Sequence, residues 1–269
     1  MLQKSCVNTF ISGSSANLVA IRYAGVGGIL PSDNESLSMT LANVVLDIDA
    51  TDHLHSIGVQ FDGNYTVMNT NETKNVTIGA PFSPSMAGLG LACTVTLNGT
   101  PVPFEILDNV SLNSTVWLKY THSIVEQFIT CNVTVPENGS VVLRYTINAS
   151  IVDLSDEVMI DYIVGTARAW SGNVTELVTF NVKGTLPHAH SDYLEGVFEK
   201  HCTVQDITGG RSYSWSWNDE AIEESSVYVA YHYEDPPPSI SWLLVALISI
   251  TAFAMVPVIF LLLKRRRGK

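Results

Sequence analysis

The chain has 269 residues, enough for one or two domains with a sizeable core, and carries 26 acidic against 14 basic residues for a net charge of −12. All the acidic residues precede Ile240 while five of the basic ones follow it, so the first 239 residues hold 9 basic against 26 acidic groups, net −17. That balance makes nucleic acid and anionic lipid headgroups poor partners for this part of the chain.

Residues 1–26 include Lys4, but Arg22 interrupts their best apolar stretch, so no leader peptide is legible and no structure is assigned to them. From residue 27 onward the dominant period is two. In "CTVTLN", Cys93, Val95 and Leu97 alternate with Thr94, Thr96 and Asn98; in "ITCNVTV", Ile129, Cys131, Val133 and Val135 alternate with Thr130, Asn132 and Thr134. "VVLRYTIN" sets Val141, Leu143, Tyr145 and Ile147 against Val142, Arg144, Thr146 and Asn148. These are half-buried strands, and Asn98-Gly99, Asn138-Gly139 and Gly209-Gly210 are turn signals between strands. "DLSDEVMIDY", residues 153–162, is less regular, and "AWSGNVTELVTFNV" resumes strand character through Val174, Val178, Phe180 and Val182.

No long 3.6-period segment precedes Ile240, so the expected class is all-β and sandwich-like. A soft boundary near residues 108–120 gives a first region over 27–115 and a second over 116–233, as two consecutive sandwiches or one large one.

Eleven of the 17 asparagines open an Asn-x-Ser/Thr triplet: Asn34, Asn64, Asn71, Asn75, Asn98, Asn109, Asn113, Asn132, Asn138, Asn148 and Asn173. Asn98, Asn132 and Asn148 fall on the polar phase of their strands, Asn64 does the same beside Asp62 and Thr66, and Asn138 opens a turn. A bulky hydrated glycan occupies only a solvated face, so the register that buries Val and Ile presents these asparagines to it.

Three further groups carry possible chemistry. Cys93 and Cys131 both lie on apolar strand phases, where a bridge would close a loop of about 38 residues and add about 3–4 kcal/mol; two buried thiols are the alternative. Cys6 and Cys202 are the leftover cysteines. In "HAHSD", His188, His190 and Asp192 share one side of an extended strand, as two imidazoles and a carboxylate converging on zinc or copper would, and His53 and His55 form a second His-x-His pair. The competing reading is loop histidines after the "GTLP" turn. In "YSWSWND", Tyr213, Trp215 and Trp217 form a one-sided aromatic stripe that serves as a contact surface or as core. There is no phosphate-loop spacing, no Gly-x-Ser-x-Gly and no Cys-x-x-Cys, so neither an enzyme nor a cofactor is expected.

"EDPPPS", residues 234–239, is a stiff stalk, and Ile240 to Leu263 is an uncharged run of 24 residues, long enough as a helix to cross a bilayer. "KRRRGK", residues 264–269, follows and belongs in the cytoplasm by the positive-inside rule, which places residues 1–239 outside.

The order "FDGNYTVMNTNETKNVTIGAPF", "VTLNGTPVPFEI", "VTVPENGSVVLRYTI", "ARAWSGNVTELVTFNV" and "YSWSWNDEAIEESSVYVAYHY" resembles a domain-of-unknown-function family of bacterial and archaeal cell-surface proteins, over about residues 26–233. The resemblance implies a secreted β-rich module and transfers no catalytic residues.

The expectation is a single-pass cell-surface glycoprotein whose ectodomain binds a surface protein or glycan or serves structurally. The alternative is a metal-binding protein or metal-dependent extracellular enzyme using His188, His190 and Asp192. Because no triplet occurs after Asn173, the strands holding "HAHSD" and "YSWSWND" are the expected contact surface.

Overall fold

The computed structural model describes residues 21–32, 37–52, 55–87, 92–108, 127–152, 157–193 and 200–232. The expected membrane-spanning run at 240–263 and the triplets at Asn34, Asn109 and Asn113 lie outside these residues, as do Cys6 and His53. Among the described residues no helix is long and apolar enough to cross a membrane.

Among the described residues sixteen strands run in chain order: β1 Ile21–Gly27, β2 Leu30–Pro31, β3 Leu37–Ala50, β4 Ser56–Asn69, β5 Lys74–Phe82, β6 Ala92–Leu97, β7 Thr100–Pro101 and β8 Glu105–Asp108. They continue with β9 Gln127–Val135, β10 Ser140–Val152, β11 Glu157–Ile163, β12 Val174–Gly184, β13 His188–Tyr193, β14 Thr203–Ile207, β15 Gly210–Glu220 and β16 Glu224–His232. Two eight-stranded sheets result. One has the order β13-β16-β11-β1-β5-β9-β8 with β2 added to β5, and the other runs β14-β15-β12-β3-β4-β10-β6-β7.

The alternating sequence accounts for the strands. In β4, Ile57, Val59, Phe61, Tyr65 and Val67 are buried, while Gln60, Asn64 and Met68 are exposed. The buried sides of the two sheets meet, with Phe61 of β4 stacked on Tyr162 of β11 at 6.2 Å between ring centroids, while within the second sheet Phe180 lies edge-on to Trp215 at 5.3 Å. Packing aligned inner faces in this way is what makes a sandwich.

Residue 115 does not divide this core. Strand β1 pairs in parallel with β11, and β3 pairs in parallel with β12, so each sheet joins strands from both halves of the chain. The result is one sandwich, with the remaining strands supplying the long connection that a parallel pair requires.

Candidate functional site

All eight described triplet asparagines are exposed: Asn64, Asn71, Asn75, Asn98, Asn132, Asn138, Asn148 and Asn173. Asn69, the one buried asparagine among the described residues, opens no triplet. Its Nδ2 donates to the Glu72 carbonyl at 2.7 Å and to the Val135 and Pro136 carbonyls at 3.3 Å, while its Oδ1 accepts from the Asn71 N–H at 3.0 Å. It thereby ties the turn holding Asn71 to the turn holding Asn138.

These turns belong to one end of the sandwich. Register places Ser140 opposite Met68, Leu37 opposite Asn69, Leu97 opposite Leu143 and Thr175 opposite Leu41, which gathers Asn71, Asn98, Asn138 and Asn173 at that end. β16 finishes at the other, where His232 pairs with Glu157 five residues after β10 closes at Val152.

Two triplets interlock on the first sheet. Asn75 faces Thr134 and Thr77 faces Asn132; Thr134 Oγ1 donates to Asn75 Oδ1 at 2.6 Å and Thr77 Oγ1 to Asn132 Oδ1 at 2.7 Å. Both carboxamide nitrogens stay available for a sugar bond, because only the oxygens accept.

The aromatic stripe is not a contact surface. Tyr213, Trp215 and Trp217 are 4%, 1% and 2% exposed, because β15 pairs with β12 in a register that sets them beside Phe180, Val178 and Glu176 on the inner face. Trp217 Nε1 donates to Glu224 Oε2 at 2.9 Å, which satisfies the buried indole.

Cys93 and Cys131 are free thiols and not a bridge. They lie on different sheets. Cys131 Sγ sits 3.2 Å from Tyr145 Oη, and Tyr145 pairs with Val95 on β6, which leaves Cys93 two residues, or about 7 Å, further along that strand. Burial pushes the Cys93 thiol up to about 11 and raises that of Cys131 as well, which suits two inert thiols. Cys202 forms no disulfide among the described residues either.

His188, His190 and Asp192 occupy alternate positions on the edge strand β13, opposite Ala230, Tyr228 and Ser226 of β16. His188 is exposed. His55, from the second pair, bonds Asp52 at 2.7 Å in the β3–β4 turn. Among the described residues no three His, Cys, Asp or Glu side chains gather as a metal cluster.

One strongly perturbed carboxyl, Glu176, belongs to none of the motifs singled out in the sequence. Glu176 points into the core from β12, level with Ala42 and Trp217. Tyr162 Oη donates to its Oε1 at 2.8 Å, Tyr65 Oη lies 3.3 Å from Tyr162 Oη, and Oε2 has no hydrogen-bond partner among the described residues. Burial pushes the carboxyl up to about 8 against the pull of the Tyr162 hydrogen bond, and it raises both tyrosines too. No described cavity opens on it. Two solvent-facing hollows are a groove of 390 Å³ along Asp47, Asp49, Gln60, Asn148, Asn181 and Lys183, and one of 470 Å³ beside Phe104, Leu107 and Asn132.

No protein-family model and no curated protein sequence matches the chain. Among solved structures it is similar to a candidate nutrient binding protein from Legionella pneumophila, at 13% identity and a TM-score of 0.55, over 77% of this chain and 70% of that one. It also aligns with an M1 zinc metallopeptidase from Deinococcus radiodurans at 10% identity and a TM-score of 0.41, over 75% of this chain and 43% of that one. Native yeast LTA4 hydrolase aligns at 8% identity and a TM-score of 0.37, over 76% and 30%. The chain thus spans less than half the length of these two enzymes. The Legionella likeness establishes a shared fold alone, and the described chain is a two-sheet β-sandwich protein.

Proposed function

We propose that this is a single-pass cell-surface glycoprotein whose β-sandwich serves as a binding or structural module. The observation that carries the reading is the exposure of all eight described triplet asparagines, on outward strand faces and turns, while the buried Asn69 opens no triplet. The uncharged run at 240–263 and the basic segment after it supply the anchor and its orientation. Glycopeptide mapping of the protein from its source cells should find sugar on several of the eight, and protease applied to intact cells should remove the sandwich. Bare asparagines throughout, or a sandwich spared by the protease, would overturn the reading.

A metal-binding role or metal-dependent extracellular enzyme at His188, His190 and Asp192 is the second reading, supported by their alternate positions on an edge strand. Stoichiometric zinc or copper in the purified protein, lost in the H188A/H190A variant, would establish it; a metal-free protein would sink it.

A further inference from the structure

The outward face of the second sheet is divided. At one end it is polar, with Asp47, Asp49, Gln60 and Lys183. At the other, four aliphatic side chains stand in solvent: Leu41 is 47% exposed, Leu177 43%, Val142 38% and Met68 38%. They come from the adjacent strands β12, β3, β4 and β10 and fall in three successive rows of the ladder. Met68 is level with Ser140; Leu41 is level with Thr66, Val142 and Thr175; Leu177 is level with Asn43, Asn64 and Arg144. The other exposed aliphatics, Ile106, Val152, Leu186 and Val204, lie apart from these rows. Leu41, Met68, Val142 and Leu177 are diagonal neighbours with Thr66 and Asn64 among them, and a grouped exposed apolar patch on an acidic, otherwise polar surface marks an interaction site.

Asn64 stands inside the patch. Its lateral neighbours Asn43 and Arg144 are about 5 Å away, and the diagonal ones, Leu41 and Val142, about 7–8 Å. Its carboxamide is exposed and makes no hydrogen bond among the described residues, whereas those of Asn75, Asn98, Asn132 and Asn173 are engaged. Arg144 is turned away from it into a two-point ion pair with Asp62, at 2.8 and 2.6 Å. Three more triplets border the same rows. Asn98 Oδ1 accepts from the Val142 N–H, Asn138 lies two residues before Ser140, and Asn173 lies two residues before Thr175.

We infer that the patch is covered by the N-linked saccharide of Asn64, lying across Leu41, Val142 and Leu177, and not by a partner protein. A pyranose ring presents C–H groups on its faces and hydroxyls on its rim, so one ring covers aliphatic surface while keeping its polar edge in water. The bordering triplets set further bulky, hydrated chains around the patch, and these obstruct the close approach that a protein interface needs. This rests on the glycoprotein reading and adds to it the role of one particular attachment site.

The test is hydroxyl-radical footprinting of the full chain in membranes from its source cells, read by mass spectrometry alongside the occupancy of each triplet. Wild type is compared with N64Q, with T66A, which removes the triplet but keeps Asn64, and with N148Q on the polar end of the same face. In N64Q and T66A, labelling of Leu41, Met68, Val142 and Leu177 should rise about two-fold or more, while Leu186 and Val204 stay constant and N148Q leaves the patch unchanged. Unchanged patch labelling in both variants, with Asn64 occupied in the wild type, overturns the inference. So does a bare Asn64 on a protein that carries sugar at other triplets, an outcome that leaves the glycoprotein reading standing. Absence of sugar at every triplet overturns both. A rise that extends to the buried Trp215 in both variants marks unfolding and counts against a local cover.

Discussion

Substituting Glu176 by glutamine should remove a pH dependence built into the core. The folded carboxyl titrates near 8 because it is buried, against 4.5 in the unfolded chain, so the folded state holds the extra proton between those values. Stability is therefore complete below 4.5, declines as pH rises, and continues to be lost until the folded group ionises near 8. Between pH 5 and pH 8 the loss from this one group is about 3–4 kcal/mol, equivalent to about 6–16 °C in Tm for a domain of this size. Glutamine keeps an oxygen to accept from Tyr162, and its amide replaces an oxygen that has no partner in either case, so the two proteins should have similar stability at pH 5. At pH 8 E176Q should be the more stable. Full-length wild type and variant would be melted across this range in one detergent, following tryptophan fluorescence, so that all other titrations cancel in the difference. Equal pH slopes would refute the reasoning and mean that Glu176 is already ionised in the folded protein at pH 5, with a compensating partner.

Gly63 leaves room for the same hydroxyl cluster: a Cβ there would sit 2.5 Å from Tyr65 Oη and 2.7 Å from Phe61 Cζ, so G63A should cost about 1–3 kcal/mol by overpacking, seen as a lower denaturation midpoint at unchanged m-value. N69A should cost about 1–3 kcal/mol by removing the Asn69 hydrogen bonds to the Glu72 and Val135 carbonyls and from the Asn71 N–H, with faster amide exchange confined to residues 70–73 and 136–139. Cys93 and Cys131 should each take one alkylating label in denaturant without prior reduction, and a labelling that required reductant would restore the bridge.

Much of the surface was legible in the sequence. Alternation is a local property of an extended chain, so the polar phase of "NYTV", "CNVTV" and "TINAS" placed Asn64, Asn132 and Asn148 outside without knowledge of any partner strand. The turns at Asn98 and Asn138 were equally local, and both residues adopt the left-handed backbone that asparagine tolerates, with φ of 50° and 47°. Which strands pair was not legible. β1 with β11 and β3 with β12 are contacts across more than a hundred residues, and no local pattern encodes them. Those ladders decide that the chain makes one sandwich. They also set the position of Cys93 along β6 away from Cys131, and they turn the aromatic side of "YSWSWND" toward the core by registering it against β12. Glu176 shows the limit most clearly. It occupies the same phase as Val174, Val178 and Phe180, a visible irregularity in "NVTELVTF", yet only the tyrosine brought across from β11 makes a buried carboxyl tolerable there. Period two separates the two faces of a strand, whereas the neighbour that satisfies each inward group comes from elsewhere in the chain and is set by tertiary packing.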